Sequence, residues 1–316
     1  MKHLIALIAA ITMALPVWAQ IAVPKELQGK TVTVIVPYPA GGQTDVWNRV
    51  TAGRVKELTG LNIIIVNKPG GDALIGAADA AKSAPDGLTL FGAESSPLVL
   101  SNLLQEPNAV PRKEFATISV SYRTPQGFYV RSESKYQTLK DLIDDVRANP
   151  GKINVGHVST VTKLVAKRTM GEFNGQYQDI AYKGAPPAIT DLIGGHVDVV
   201  VSSPIILPQV RAGKVRALAF SSPNRLAEFP TVGLIRDQVP GFAVENFAGL
   251  WAPAGTPKHI IDFYNRAYRE AFKDPAAQEF LKNTSANLFD GTPEEAERFI
   301  QANENFWRPI VAKYGK

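Results

Sequence analysis

The sequence contains no cysteine, and this absence excludes disulfide bonds, thiolate catalysis and cysteine-ligated metal sites. Histidine is scarce too: four residues lie far apart along the chain, and no group of His, Asp and Glu has the spacing of metal ligands. The motifs G-x-S-x-G, H-E-x-x-H, G-x-x-x-x-G-K-[ST] and G-x-G-x-x-G are all missing. We therefore expect a protein that is not an enzyme and that uses no metal and no cofactor.

Clustered positive charge is absent as well. The 34 Lys and Arg residues outnumber the 29 Asp and Glu residues and give a net charge of +5, but no run of five basic residues exists. Because nucleic-acid binding needs a basic patch or stripe, we expect no nucleic-acid partner. The small positive excess favours anionic solutes only weakly.

Long apolar runs are limited to Leu4–Leu15, which is shorter than the roughly 20 residues of a membrane-spanning helix. Lys2 precedes this run, and Pro16 and the small-x-small segment Val17–Ala19 follow it. This order is typical of a secretory signal, so residues 1–19 are predicted to be removed by cleavage near Ala19. The alternative is an N-terminal membrane anchor. A lipoprotein anchor is excluded because no cysteine follows the run.

The remaining 297 residues alternate short apolar strands with amphipathic helices, a pattern that predicts an α/β fold with parallel sheets. This length is sufficient for two lobes. The extended stretches Phe115–Tyr122 and Phe247–Trp251 are candidate crossings between them. We predict that lobe I comprises residues 20–122 plus 247–316 and that residues 123–246 form an inserted lobe II. Two crossings suit closure around a ligand, while two independent tandem lobes are the alternative.

Two helix starts carry strong capping signals. Thr138 precedes the amphipathic segment 139–148, which Asn149 and Pro150 end. Thr292, Pro293 and Glu295 form the pattern of a capping box at the start of the last helix.

The turn Pro37–Asp45 follows the first predicted strand. In open α/β sheets ligands bind beyond the carboxyl ends of the strands, where free N–H groups at helix N-termini hold anions. Gly41 and Gly42 allow the backbone a sharp turn and a close approach to a ligand. Thr44 or Asp45 is expected to cap the helix, and Asp45 is alternatively a partner for a cationic part of the ligand. The simpler interpretation is a strand-to-helix turn with a cap.

Small or hydroxyl-bearing residues follow several other predicted strands. Each such turn by itself is most simply a helix cap, and Lys183 by itself a solvated surface lysine. Together they predict a cleft rich in backbone and hydroxyl donors and poor in groups for proton transfer. The candidate ligand-binding residues are Tyr38, Pro39, Ala40, Gly41, Gly42, Gln43, Thr44, Asp45, Ala73, Ser95 and Ser96 in lobe I, and Ser159, Thr160, Thr162, Lys183, Gly184, Ala185, Ser202 and Ser203 in lobe II.

The motif Pro37-Tyr38-Pro39-Ala40-Gly41-Gly42 with Asp45 resembles the opening motif of the Bug (Bordetella uptake gene) family, the periplasmic substrate-binding proteins associated with tripartite tricarboxylate transporters. Further matching segments follow in order and span nearly the whole mature chain: Asn67–Gly71, Ile75–Ala77, Pro85–Leu90, Ala181–Ala188, Asp191–Gly195, Val197-Asp198, Pro208, Arg211–Ala219 and Ala252–Pro257.

The resemblance implies a two-lobe, type II-like Venus-flytrap fold in the periplasm. It implies a ligand carboxylate held by Pro39–Asp45, largely through backbone groups and ordered water, while lobe II grips the other end. Family ligands are di- and tricarboxylates, acidic amino acids and aromatic acids, and the implied partner is a membrane permease of the tripartite tricarboxylate type. We expect a monomer. Presentation of the bound state to a sensor protein is the alternative role.

The chain departs from the family pattern at two places. Gly70-Gly71-Asp72-Ala73 stands where the family has a longer glycine run, which puts a negative charge near the cleft. His157–Leu164 stands where the family has a Gly/Ser-rich turn followed by His-Leu-Ala. Both departures indicate a changed specificity, towards an aromatic or otherwise atypical acid.

Overall fold

The computed structural model describes residues 21–315, so the predicted signal segment lies outside the described residues. Its strands are β1 (Thr31–Val36), β2 (Asn62–Asn67), β3 (Thr89–Glu94), β4 (Phe115–Pro125), β5 (Gly127–Arg131), β6 (Asn154–His157), β7 (Gln178–Ala181), β8 (Val199–Ser202), β9 (Val215–Phe220), β10 (Gly233–Leu234), β11 (Glu245–Pro253) and β12 (Asn287–Leu288). Its helices are α1 (Gln43–Thr59), α2 (Leu74–Ala81), α3 (Ser101–Leu103), α4 (Leu139–Ala148), α5 (Thr160–Gly171), α6 (Ala185–Gly194), α7 (Leu207–Arg211), α8 (Lys258–Ala271), α9 (Pro275–Asn283) and α10 (Pro293–Tyr314). Within this range no helix is long and apolar enough to cross a bilayer.

The strands form two six-stranded sheets, which confirms the predicted α/β fold with two lobes. The sheet of lobe I has the order β12-β4-β11-β3-β1-β2, and that of lobe II has the order β10-β9-β5-β8-β6-β7. The prediction of parallel sheets was wrong in part, because β11 is antiparallel to β3 and β4, and β5 is antiparallel to β8 and β9. The chain passes between the lobes through β4, β5 and β11. Because these strands continue from one lobe into the other, they run against their neighbours in the sheets.

The chain passes between the two sheets twice, once from β4 to β5 and once on the way to β11. Ser221 ties the two passages together. Its Oγ accepts a hydrogen bond from the Gln126 N–H at 2.8 Å and donates to the Val244 carbonyl at 2.5 Å. Backbone bonds from Ser221 to Gln126 and from Val244 to Ser221 complete the link. The lobe boundaries proposed after residues 122 and 246 stay a prediction.

Helix starts follow the sequence signals closely. Thr138 and Thr292 both form capping boxes, as predicted. Ser159 caps α5 in the same way, with Thr162 as its partner. Between β8 and α7 the chain forms a 3₁₀ turn at Pro204–Ile206.

Apolar side chains bury both sheets. In lobe I the ring of Trp47 on α1 lies 5.2 Å from Tyr122, 5.3 Å from Phe272 and 5.2 Å from Phe280, which fixes α1 against β4, α8 and α9. The C-terminal helix α10 packs against β4 of lobe I and α5 of lobe II. The N-termini of α1 and α5 therefore lie on well-packed helices, at the carboxyl ends of β1 and β6.

Candidate functional site

The turn between β1 and α1 is tightly closed. Gly41 has φ +81°, a conformation that glycine adopts without strain. The Gly42 N–H donates to the Pro39 carbonyl at 3.3 Å, and the Asp45 carboxylate accepts from the Gly41 N–H at 2.8 Å. These bonds fold the predicted Pro37–Asp45 segment back onto the first turn of α1.

Asp45 does not have the predicted role of a helix cap. The N-cap of α1 is Gly42, without a side-chain capping bond, so neither Thr44 nor Asp45 caps the helix. Instead the buried Asp45 carboxylate accepts from Gly41, Arg49 and Asn67. Burial raises the pKa of Asp45, but the hydrogen bonds from Arg49, Gly41 and Asn67 outweigh burial and hold it below its usual range. The Asp45 carboxylate thus accepts hydrogen bonds from the protein itself and stabilises the turn.

Asp45→Ala is expected to lower the free energy of unfolding by about 1.5 kcal/mol, because three donors lose a charged acceptor. Urea denaturation measures this loss. The matched control is Asp262→Ala on α8, where the carboxylate pairs with exposed Lys258 and the change should stay below about 0.5 kcal/mol. Equal losses in the two variants would show that Asp45 does not support the turn.

The first turn of α1 presents unpartnered backbone donors. Because Gly42 makes no side-chain cap, the N–H groups of Gln43, Thr44 and Asp45 have no acceptor in the described chain. These groups stand at the positive end of a 17-residue helix dipole. Such an end stabilises an anion without a lysine or arginine.

Residues of both lobes meet around a small enclosed space, which we call the inner cavity. Its volume is about 20 Å³, room for one water-sized group. The Gln43 amide is 3% exposed, and neither its oxygen nor its nitrogen has a hydrogen bond of good geometry, although the Tyr122 hydroxyl lies near enough to interact with it. A polar side chain buried in this way is a sign of a ligand or ordered water. The lining residues are Tyr38, Pro39, Gly42, Gln43, Thr44, Glu94, Gln126, Val158, Ser159, Gly184, Ala185 and Ser203.

Glu94 was missed as a site residue by sequence reasoning, although it stands at the carboxyl end of β3. Its Oε1 accepts from Thr44 Oγ1 at 3.1 Å and its Oε2 from Asn246 Nδ2 at 2.7 Å. Burial raises the pKa of Glu94 to about 6, against the lowering effect of these two hydrogen bonds. The inner cavity thus contains a carboxyl group that is costly to ionise.

A larger space, the outer chamber, adjoins the inner cavity through Tyr38 and Val158. Its volume of about 550 Å³ lies within the usual range of ligand pockets. The loops after β2, β6 and β7 surround it together with the segment 101–108 and Gly315. Its charged and titratable side chains are Tyr38, Asp72, Glu106, His157, Lys163, Lys167, Tyr182 and Lys183.

The predicted site residues fall into three groups. Nine line the inner cavity: Tyr38, Pro39, Gly42, Gln43, Thr44, Ser159, Gly184, Ala185 and Ser203. Ala73, Thr160 and Lys183 line the outer chamber. The rest line neither space: Ala40 and Gly41 are exposed, Asp45 holds the turn, Ser95 donates to Asn246, Ser96 accepts from the Val161 N–H, Thr162 completes the capping box of Ser159 on α5, and Ser202 is buried in β8.

The arrangement offers hydrogen-bond donors rather than a catalytic constellation. His157 pairs with Asp179 at 3.2 Å across neighbouring strands, and burial lowers its pKa. Ser159 and Thr162 are committed to the cap of α5, and the Thr160 hydroxyl donates to Asp72. Among residues 21–315 no group of three His, Cys, Asp or Glu could hold a metal ion.

Comparison with known proteins agrees with this geometry. A model of the "Tripartite tricarboxylate transporter family receptor" matches residues 47–316. Protein BugT of Bordetella pertussis is 31% identical over 297 residues, covering 90% of this chain and 90% of BugT. Among solved structures, the periplasmic binding protein BugD has a TM-score of 0.84 at 25% identity, covering 90% of this chain and 97% of BugD.

A second solved structure, MatC from Rhodopseudomonas palustris with bound malate, has a TM-score of 0.84 at 25% identity and covers 90% of this chain and 99% of that chain. These proteins bind solutes and are not enzymes, which confirms the expectation that this chain is not an enzyme. The chain belongs to the tripartite tricarboxylate transporter receptor family and is a solute-binding protein of the Bug type.

Proposed function

We propose that this protein captures a small organic carboxylate between its two lobes in the periplasm and, as a monomer, delivers it to a membrane permease of the tripartite tricarboxylate type. The observation that carries the proposal is the first turn of α1, where three N–H groups without acceptors stand beside the buried Gln43 amide. The family match and the malate bound to MatC support the same class of ligand.

The ligand carboxylate is placed at the N-terminus of α1, where the helix dipole and the free N–H groups favour negative charge. The body of the ligand extends into the outer chamber, because the inner cavity has room for only one water-sized group. Residues 158–160 and 183–185 close the cleft from lobe II. Ordered water completes the hydrogen bonds of Gln43 and the neighbouring hydroxyls.

Thermal denaturation with a panel of carboxylates, sugars and cations tests the proposal. A carboxylate present at 100 times its Kd should stabilise the protein by about 2.7 kcal/mol and raise its melting temperature. Stabilisation by sugars or cations but by no carboxylate would contradict it.

Gly42→Val locates the binding site in the same assay. Gly42 has φ −70°, which valine also adopts, and an added Cβ would lie 3.3 Å from the Pro39 carbonyl oxygen at the wall of the inner cavity. The variant should fold and bind carboxylate at least tenfold more weakly. Gly53→Val is the control, since it lies on the same helix with open space around its Cβ position. Unchanged affinity in Gly42→Val would place the carboxylate elsewhere.

A further inference from the structure

The loop between β2 and α2 has an unusual backbone. Gly70, Gly71, Asp72 and Ala73 have φ values of +127°, +56°, +49° and +74°, so four consecutive residues occupy conformations that favour glycine. For Asp72 and Ala73 this conformation is strained, because a side chain with a Cβ disfavours the left-handed region. Such strain persists where the surroundings hold the backbone in place, and it is concentrated at functional sites.

The Asp72 side chain reaches across the cleft to the N-terminus of α5. Its carboxylate accepts a short hydrogen bond from the Thr160 hydroxyl, and Thr160 is the first residue of the helix. Desolvation by the surrounding cleft walls raises the pKa of Asp72 to about 6 although part of the residue stays exposed to solvent, while Lys163 and the Thr160 backbone N–H lower it and Glu106 raises it further. The Asp72 carboxylate of lobe I thus lies at the N-terminus of α5 in lobe II, where a ligand carboxylate could otherwise bind.

The other donors of this helix end are also occupied. The Val161 N–H donates to Ser96 Oγ at 3.4 Å, and the Thr162 N–H donates to Ser159 Oγ at 3.5 Å. Two of the three first-turn partners, Asp72 and Ser96, come from lobe I. This is the opposite of α1, whose first-turn N–H groups have no acceptor in the described chain. The N–H groups at the N-terminus of α1 are therefore free to bind a ligand, whereas the donors at the N-terminus of α5 are already bonded to side chains of the protein.

We propose that Asp72 acts as a built-in carboxylate that occupies the N-terminus of α5, so that the protein selects monocarboxylates over dicarboxylates. The inference rests on the proposed function, since it assumes a ligand carboxylate at α1. A second ligand carboxylate in the outer chamber would find no free helix N–H group at α5. It would also meet the negative charge of Asp72 and Glu106, which repels a second carboxylate at close range.

Lysines of the outer chamber only partly offset this repulsion. Three lysines line the chamber: Lys163 already interacts with Asp72, Lys167 has an interaction of its own, and the Lys183 side chain is exposed to solvent. A lysine also carries a strongly hydrated point charge on a flexible stem, whereas the occupied helix end is rigid. Selection against a second ligand carboxylate therefore follows from the N-terminus of α5, which Asp72 already occupies.

Asp72→Gly is the main variant, and hexanoate and adipate are the probes, because they have the same chain length and differ in one carboxylate. Calorimetry at pH 7.5, where Asp72 is ionised, measures both affinities. We expect the wild type to prefer hexanoate at least tenfold. In Asp72→Gly the freed α5 terminus should receive the distal carboxylate and reverse the preference.

Two further variants separate the effect of the Asp72 charge from that of its hydrogen bond with Thr160. Asp72→Asn removes the charge but keeps an acceptor for Thr160, so it should shift the preference only part of the way. Asp79→Asn removes an exposed carboxylate of α2 that pairs with Lys68 outside the chamber, and it should leave the preference unchanged. Glycine adopts the φ of +49° freely, so Asp72→Gly should unfold at no lower temperature than the wild type.

The outcomes distinguish this inference from the function on which it rests. If the wild type binds adipate as tightly as hexanoate, or if Asp72→Gly leaves the preference unchanged, the selection by Asp72 is disproved and carboxylate capture stands. If no monocarboxylate or dicarboxylate binds to the wild type or to Asp72→Gly, the proposed function fails and the inference fails with it.

Discussion

Gly184→Ala is expected to leave both lobes folded and to weaken carboxylate binding about a hundredfold, which corresponds to ~3 kcal/mol. Gly184 stands before α6 in lobe II and lines the inner cavity opposite the turn of lobe I. An added Cβ would lie 2.8 Å from Cδ of Pro39, closer than side-chain atoms approach one another. The lobes would have to stay slightly open, and hydrogen bonds to a ligand weaken steeply once donors and acceptors move apart.

The backbone of Gly184 contributes a second penalty. Its φ of +148° and ψ of 179° lie in a region that is essentially restricted to glycine, and alanine there costs on the order of 1–3 kcal/mol. Gly213→Ala is the matched control, because Gly213 also has a positive φ in lobe II but has open space around its Cβ position. The control should lose some stability and keep its affinity.

A double variant tests the steric contact directly. Pro39→Ala removes the ring atoms that the new Cβ would meet, so adding it to Gly184→Ala should restore part of the lost affinity. Calorimetry on the four proteins gives the coupling between the two positions. Full affinity in Gly184→Ala, or no recovery in the double variant, would show that close approach of these two motifs is not needed for binding.

Local signals made much of the fold predictable. The capping boxes at Thr138 and Thr292 depend on residues within one helical turn, and the structure confirms both. The turn after β1 was predictable for the same reason, since two glycines and a following helix fix its shape. Nine of the predicted residues line the inner cavity because the carboxyl ends of parallel strands share one edge of each sheet.

Partners distant in sequence were not predictable. Asp45 was expected to be a cap, but Asn67 on β2 and Arg49 draw its carboxylate back over the turn. The Glu94 carboxylate is held by a hydrogen bond from Asn246, which is 152 positions away in the sequence. Asp72 was recognised as a departure near the cleft, yet its contact with Thr160 of the other lobe depends on how the lobes close. A single sequence gives the residue types but not these pairings.

Glu94→Gln is expected to raise the free energy of unfolding at pH 7.5 by about 2 kcal/mol. In the wild type the pKa of Glu94 is raised from 4.5 to about 6, and one pKa unit corresponds to about 1.36 kcal/mol. The folded state therefore binds the proton more tightly than the unfolded chain. The contribution of this proton to stability is complete below pH 4.5 and is lost as the pH rises through about 6.

The difference between Glu94→Gln and the wild type should therefore shrink from about 2 kcal/mol at pH 7.5 to near zero at pH 4.5. Asp72, whose pKa is also raised to about 6, is present in both proteins and contributes to both curves. Urea denaturation across this pH range measures the difference. Glu270→Gln, an exposed glutamate that pairs with Lys273, is the control and should show no such trend.

The geometry around Glu94 explains why glutamine should fit. Ser95 Oγ donates to Asn246 Oδ1 at 2.7 Å, which directs the Asn246 Nδ2 towards position 94, where an amide oxygen can accept as the carboxylate does. The amide nitrogen then faces the Thr44 hydroxyl oxygen, which can accept in its turn. No buried group is left unpaired, and only the charge is removed.

The same substitution affects the ligand. Because Thr44 belongs to the first turn of α1 and donates to Glu94, the ionised carboxylate lies beside the proposed seat of the ligand anion and repels it. Glu94→Gln should therefore bind carboxylates more tightly than the wild type at pH 7.5, and the advantage should fade at pH 5.5 as Glu94 takes up its proton. Weaker binding by the glutamine variant at both pH values would mean that Glu94 instead accepts a donor group of the ligand, and that the solute carries such a group next to its carboxylate.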